Sequence, residues 1–301
     1  MIRVLGTVFA ALLGLAFGSF LNVCLSRWPQ DESVATPRSH CRSCGRTLPW
    51  WESVPLLSWL ALRGRCHSCK AWIGWRYPLV ELTVGVLWAV VAWRSLSDAF
   101  MSDASSATLY RSLAACIGQM IFYWLLAALA FLDAENLWLP NRLTLPGAGL
   151  GFSFAVLVAV FGSRSPVNDT VEPMRAAIAR AAIGSLIGMA ACGGLILLIR
   201  WIFWLVRKQE GIGLGDAKLM AMLGAWLGLP GAMLALFVGV MLGSVAALAL
   251  LALPRMRGRS DDGSWAMIKL PLGTFFSIGG VVSGLWGERI LTAYLRLAGW
   301  N

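Results

Sequence analysis

Residues 211–228 read GIGLGDAKLMAMLGAWLG. One acid, Asp216, and one base, Lys218, open an otherwise apolar run, behind three glycines, Gly211, Gly213 and Gly215. An ionisable side chain beside a membrane-grade segment is costly and marks a functional site by default. The sequence on both sides decides what kind of molecule holds this acid.

Of 301 residues, 58% are hydrophobic and only 13% charged. Soluble domains carry about 25% charged residues, so the chain reads as an all-α polytopic membrane protein. Roughly eight apolar spans of near-bilayer length, about 20 residues each, can be marked. They run from Leu5 to Leu25, Pro78 to Trp93, Leu113 to Leu132, Leu143 to Phe161, Ile183 to Val206, Ala217 to Leu227, Gly231 to Leu253 and Leu270 to Leu291. Only Leu229-Pro230 and its neighbours separate the sixth from the seventh. The first stretch continues too far without a cleavage site to read as a signal peptide, so it is expected to be a retained helix.

Lysine and arginine bias sets orientation. Placing the loop after the first span in the cytoplasm gives that side about twice the basic residues of the other, including Arg42, Arg46, Lys70, Lys218, Arg255, Arg257, Arg259 and Lys269. Arg94, Arg111 and Arg164 fall opposite. The expected location is a bacterial inner membrane with both termini outside. The net charge of +10 follows from this topology and from affinity for anionic lipid in the bilayer, and requires no nucleic-acid partner.

Three parts follow: residues 1–27 as a first transmembrane helix, 28–77 as a hydrophilic cytoplasmic module, and 78–301 as a transmembrane core. The module holds two Cys-x-x-Cys pairs, Cys41/Cys44 and Cys66/Cys69. Each pair can present two thiolates from one knuckle, and two knuckles make a tetrahedral sulfur cage suited to structural Zn2+. Two disulfides or free thiols are the alternatives, and a reducing cytoplasm disfavours the disulfides. A segment this short has little apolar core, so metal binding would supply folding energy. His40 and His67 adjoin the thiols but are not needed as ligands. Cys24, Cys116 and Cys192 lie in apolar spans and read as small buried hydrophobes.

A second acid, Asp133, closes the third span in FLDAENLWLPN (residues 131–141). A helix C-terminus carries partial negative charge, so an aspartate there is unfavourable and points to function. Asp216 has a plainer alternative, as N-cap of a helix starting at Ala217. Gly213 and Gly215 suggest more, since capping needs no glycine whereas close backbone approach does. They could also be a small-residue packing site. In the derived topology both acids fall on the cytoplasmic side, at similar depth. Two carboxylates sharing one site hold one proton between them. One can then deprotonate water while the other protonates a carbonyl or leaving amine.

Gly213-Leu214-Gly215-Asp216 resembles the Gly-x-Gly-Asp motif of intramembrane aspartyl proteases. The whole chain is similar to the type IV prepilin peptidases, through FGSFLNVCLSRWP, both cysteine pairs, ESVPLLSWLALRGRC, RYPLVEL, FLDAENLWLPN, GIGLGDAKLMAMLGAWLG and PLGTFFSIGG. The resemblance implies Asp133 and Asp216 as the catalytic pair and Cys41, Cys44, Cys66 and Cys69 as zinc ligands. Gly213, Gly215 and Lys218 would attend substrate approach. The implied substrates are prepilins and pseudopilins, for pilus or type II secretion biogenesis. They would be cut after a glycine that ends a short basic leader, and the new N-terminus would be methylated from S-adenosylmethionine. Glu52, Gly64 and Arg65 are candidates for the methylation half, or else surface and turn residues of the module. The chain departs from the family at Pro271-Leu272-Gly273-Thr274, where Pro-Phe-Gly-Pro is common.

Overall fold

The computed structural model describes residues 1–101, 106–162, 174–209, 213–252 and 270–299. Gly211, Arg164, Arg255, Arg257, Arg259 and Lys269 lie outside them. Among the described residues the chain is helical: α1 (Ile2–Arg27), α2 (Leu57–Ala61), α3 (Arg76–Met101), α4 (Ser106–Asn136), α5 (Asn141–Gly162), α6 (Met174–Arg207), α7 (Leu214–Ala252) and α8 (Leu272–Leu297). Six of these are long and apolar enough to cross a membrane, which makes this a multi-pass membrane protein; α2 and α8 are the two that do not qualify. Large apolar side chains such as Phe9, Trp201, Phe237 and Leu248 are exposed along the helices. In water such surface would be a liability; in a bilayer it is the lipid-facing side.

Over the described residues each expected span forms helix, the last from Leu272 rather than Leu270; Leu253, the expected end of the seventh, lies outside them, and one revision stands out. The sixth and seventh expected spans are joined in the 39-residue α7. At 1.5 Å per residue it would extend about 58 Å, near twice the hydrocarbon thickness. It is broken inside, where Gly228 adopts φ 66° and ψ 179° two residues before Pro230. Proline removes one backbone donor and clashes with the preceding turn, and glycine tolerates the left-handed backbone that results.

The molecule divides into two compact units, Met1–Phe131 and Leu132–Asn301. In the first, α1 and α3 approach closely: a Cβ on Gly18 would lie 2.6 Å from Glu81 Cα, and one on Gly14 would lie 2.9 Å from Gly85 Cα. Such small-residue contacts are how membrane helices gain packing without a hydrophobic drive. The Trp88 indole donates to the Met120 carbonyl, and Trp124 to that of Phe17, tying α4 to α3 and α1.

In the second unit, α7 packs against α5, α6 and α8. Gly188 and Gly224 bring α6 and α7 backbone to backbone, and Gly239 and Gly279 do the same for α7 and α8. Ser185 donates to the Ala225 carbonyl and Trp226 to that of Gly147, so α6 and α5 each bond to the same stretch of α7. Leu219, Met220, Met222 and Leu223 are fully buried there. The turn that carries Asp216 is therefore continuous with a fully buried stretch of α7.

Candidate active site

Asp133 lies in the last turn of α4, 5% exposed. The helix closes with Leu137 in the left-handed region, φ 51°, its amide donating to the Asp133 carbonyl. Compensation for a carboxylate in this position comes from the other end of the unit. The Thr274 amide donates to Asp133 Oδ2 at 2.7 Å and its hydroxyl approaches the same oxygen at 3.3 Å; the Gly273 amide also bonds the carboxyl. These amides open α8, where a helix N-terminus offers free donors and positive potential to an anion. The departing residue thus matters: a proline at 274 would have no amide hydrogen to give.

Asp216 lies in the first turn of α7, 8% exposed. The helix begins at Leu214 rather than Ala217, so Asp216 is its third residue and not its N-cap. Its Oδ2 accepts the Gly213 amide at 3.2 Å, and its own amide returns to the Gly213 carbonyl. This is the reciprocal half of a capping box, in which the third residue reaches back to the cap. It fixes the side chain without consuming its second oxygen.

Geometry brings the two acids together. Asp216 lies within Coulombic reach of Asp133. Leu139 is wedged between their supports: a Cβ on Gly215 would meet Leu139 Cβ at 2.9 Å, and one on Gly273 would meet Leu139 Cδ1 at 2.8 Å and the Asp133 carboxyl at 3.0 Å. Gly215 is therefore required for closeness at the pair itself, whereas a Cβ on Gly213 would meet only the Asp216 carboxylate, at an ordinary 3.4 Å. The Lys218 ammonium donates to Asn141 Oδ1 at 2.7 Å, at the exposed start of α5. Glu135 is exposed. Two buried carboxylates with preorganised backbone donors can activate one water and hand a proton to a leaving group.

The cysteine module belongs to the first unit. Its two knuckles repeat one design. The bridges His40 to Thr47 and Arg65 to Trp72 each close a turn in which the first cysteine accepts an amide from the fifth residue, Gly45 or Lys70, both left-handed at φ 70° and 58°. All four sulfurs lie within 4.8 Å of one another, with Cys41 and Cys69 at 3.8 Å. A tetrahedron with metal–sulfur bonds of about 2.3 Å has sulfurs about 3.8 Å apart, so the cluster fits a metal ion. The Cys44 amide, donating to the Cys41 sulfur, draws that thiol down to about 6. His40 Nδ1 donates to the Arg38 carbonyl at 3.1 Å and His67 packs edge-on to Trp51, and neither is among the clustered ligands.

Glu52 is buried and paired through both carboxylate oxygens with Arg46, which ties the first knuckle to the short helical turn Trp50–Ser53. Gly64 has φ 68°, and a Cβ there would strike Trp72 at 2.7 Å and Trp59 at 2.9 Å. Arg65 is exposed beside the second knuckle. Between the module and the facing ends of α1 and α3 lies a cavity of about 600 Å3, lined among others by Asn22, Ser39, Glu52, Trp59, Trp72 and Glu81.

Comparison with known proteins gives two family matches in chain order. Residues 12–95 match the bacterial peptidase A24 N-terminal domain, and residues 120–248 match the type IV leader peptidase family. The first span holds the four clustered cysteines and the second holds Asp133 and Asp216. A prepilin leader peptidase/N-methyltransferase of Pseudomonas putida is 34% identical over 312 residues, covering 96% of this chain and 94% of the relative. Another so named, from Stutzerimonas stutzeri, is 32% identical over 96% of this chain and 93% of its own length. One from Myxococcus xanthus is 36% identical over 85% of this chain and 66% of the relative. No solved structure matches the chain. With end-to-end relatives above 30% identity and both cysteine pairs and both aspartates inside the matched segments, this chain belongs to the type IV leader peptidase family.

Proposed function

We propose that this protein removes the basic leader of type IV prepilins and pseudopilins after a glycine, then methylates the exposed N-terminus. The observation that supports this most strongly is the buried pair Asp133 and Asp216, each fixed by backbone amides at a helix end. In the reaction, one carboxylate takes a proton from water as the oxygen attacks the scissile carbonyl carbon. The other, carrying the shared proton, donates it to the carbonyl oxygen; as the carbon–nitrogen bond breaks, the first gives the departing amine the proton it took from water and the second takes one back from a hydroxyl of the tetrahedral intermediate. The Thr274 and Gly273 amides keep Asp133 aimed without moving during the step. Gly213 leaves room for substrate backbone beside Asp216, whereas Gly215, expected to do the same, instead lets Leu139 close on the start of α7.

Cys41, Cys44, Cys66 and Cys69 hold structural zinc in this reading, with no open coordination position for chemistry. S-adenosylmethionine, when bound, supplies a methyl group on sulfur: the carbon–sulfur bond breaks with its electron pair going to sulfur as the neutral N-terminal amine forms the carbon–nitrogen bond and sheds a proton to solvent. The protein's part in that half is positioning, assigned to the 28–77 module, while residues 78–301 form the peptidase core. The chain lies in an inner membrane with module and aspartates on the cytoplasmic side, where prepilin leaders reside. The kink at Gly228 divides α7 into two spans and α8 supplies another, making eight.

The test is direct. Purified protein is incubated with a prepilin and S-adenosylmethionine, and the product is weighed intact. The reading requires loss of the leader at the glycine and gain of one methyl group on the mature chain. An uncut prepilin would refute the peptidase half, and a cut but unmethylated product would refute the methyltransferase half.

A further inference from the structure

The cavity beneath the cysteine module is lined by neither Asp133 nor Asp216, and its chemistry is specific. Its volume of about 600 Å3 is that of a small-molecule site, which runs from about 300 to 1,000 Å3. Three kinds of group line it. Trp59 and Trp72 form an aromatic wall, their rings edge-to-face with centroids 5.9 Å apart. Glu81 brings a carboxylate, buried at the start of α3 and accepting the Leu56 amide at 2.7 Å, whereas the Glu52 carboxylate that also lines the space is already neutralised by Arg46. Leu56, whose amide makes that contact, adopts φ 56°, a strained backbone state for a bulky residue that collects at functional sites. Asn22 is the third. It is 2% exposed, it donates to the Tyr77 carbonyl at 3.0 Å, and its carboxamide oxygen has no partner. A buried acceptor left unmatched is destabilising, and a bound molecule with N–H or O–H groups would relieve it.

We propose that this cavity is the binding site of the methyl donor, S-adenosylmethionine, with Asn22 and the Trp59–Trp72 wall as its recognition elements. The inference rests on the methyltransferase reading and gives it a place. The donor has a planar heterocycle and a positive sulfur, which suit aromatic faces and carboxylates, since cations bind over tryptophan rings. It carries hydroxyl and amino donors for the Asn22 oxygen. Its carboxylate has a cation to meet in Arg42, which also lines the cavity. A leader peptide is basic too, but it is an extended chain, and this space has the volume of one compact molecule. The geometry also gives Gly64 a role. Any side chain there would push Trp72 and Trp59 inward, so Gly64 positions the wall and touches no substrate.

The experiment uses the full-length protein in detergent. Radiolabelled S-adenosylmethionine is crosslinked by ultraviolet light to the wild type, and the labelled peptide is mapped. Equilibrium dialysis then measures donor binding to Asn22→Leu and to Ser39→Trp, which plugs the space. Thermal midpoint and metal content report folding. The label is expected within residues 22–81. Asn22→Leu should weaken binding roughly tenfold, the worth of one hydrogen bond to a buried group, and Ser39→Trp by more. Label elsewhere, or unchanged binding in both folded variants, overturns the proposal while leaving methylation intact. Variants that weaken prepilin binding but not donor binding overturn it in favour of a leader site. A wild type that neither binds the donor nor methylates a pre-cut pilin overturns the methyltransferase reading itself, a result distinguishable from the others.

Discussion

A carboxylate at a helix C-terminus faces the wrong end of a dipole, and Asp133 meets that cost with amides 141 residues away. That Asp133 was out of place could be read from FLDAENLWLPN alone. That Gly273 and Thr274 relieve it could not, because nothing in PLGT names its partner; the signal lay in the absence of a second proline, which frees the residue-274 amide. The same holds for Leu139, which only packing reveals as the spacer between Gly215 and Gly273. A prediction follows from the spacing. Gly273→Ala would place a Cβ 3.0 Å from the Asp133 carboxyl and 2.8 Å from Leu139, displacing the acid by a fraction of an ångström. Steady-state cleavage of a prepilin should fall in kcat by roughly 100-fold, the scale of such misplacement, with KM changed little. Thr274→Val keeps the amide and should stay within about tenfold of wild type. Equal loss in both would show that the hydroxyl, not the amide and the open space, holds Asp133.

Helices were the legible elements, because long apolar runs announce themselves. Their ends and breaks were less so. The Leu229-Pro230 pair signalled a break, but glycine at 228 absorbs it inside one helix, and α7 begins three residues earlier than its apolar run suggests. The contacts that place α7 are glycines facing glycines, invisible as a pattern since each helix contains several. Gly224→Val would drive a branched side chain into the Gly188 carbonyl. Overpacking of this kind costs about 1–3 kcal/mol or more, so the thermal midpoint in detergent should drop clearly, and an unchanged midpoint would contradict the close packing of α6 on α7. The knuckles were the opposite case: two Cys-x-x-Cys pairs fixed their own partners by spacing. About one metal ion should copurify per chain, and Cys41→Ser or Cys66→Ser should lose it by elemental analysis. Freshly purified, reduced wild type without metal would refute the cage. The cavity was illegible, since Asn22 and Glu81 belong to apolar helices and are joined to the module only by folding.

Across the whole molecule two chemistries have different needs. Hydrolysis requires water and a carboxylate pair; methyl transfer requires an unprotonated amine in line with a sulfonium carbon. On the proposed reading the aspartates serve only the first. Asp216→Asn should therefore methylate a pre-cut pilin bearing a free N-terminus at near the wild-type rate, and Gly64→Val should depress methylation more than cleavage. A folded Asp216→Asn protein that transfers no methyl group to pre-cut pilin would mean one shared site. The central claim is that Asp133 and Asp216 act as one catalytic unit. Residues that work as a unit are strongly non-additive. Leader cleavage by folded Asp133→Asn, Asp216→Asn and the double variant, measured side by side on one prepilin, is the most direct test. All three should fall by about a thousandfold or more and to a similar residual rate; either single variant cleaving at near the wild-type rate would remove that residue from the pair and with it the account of the site.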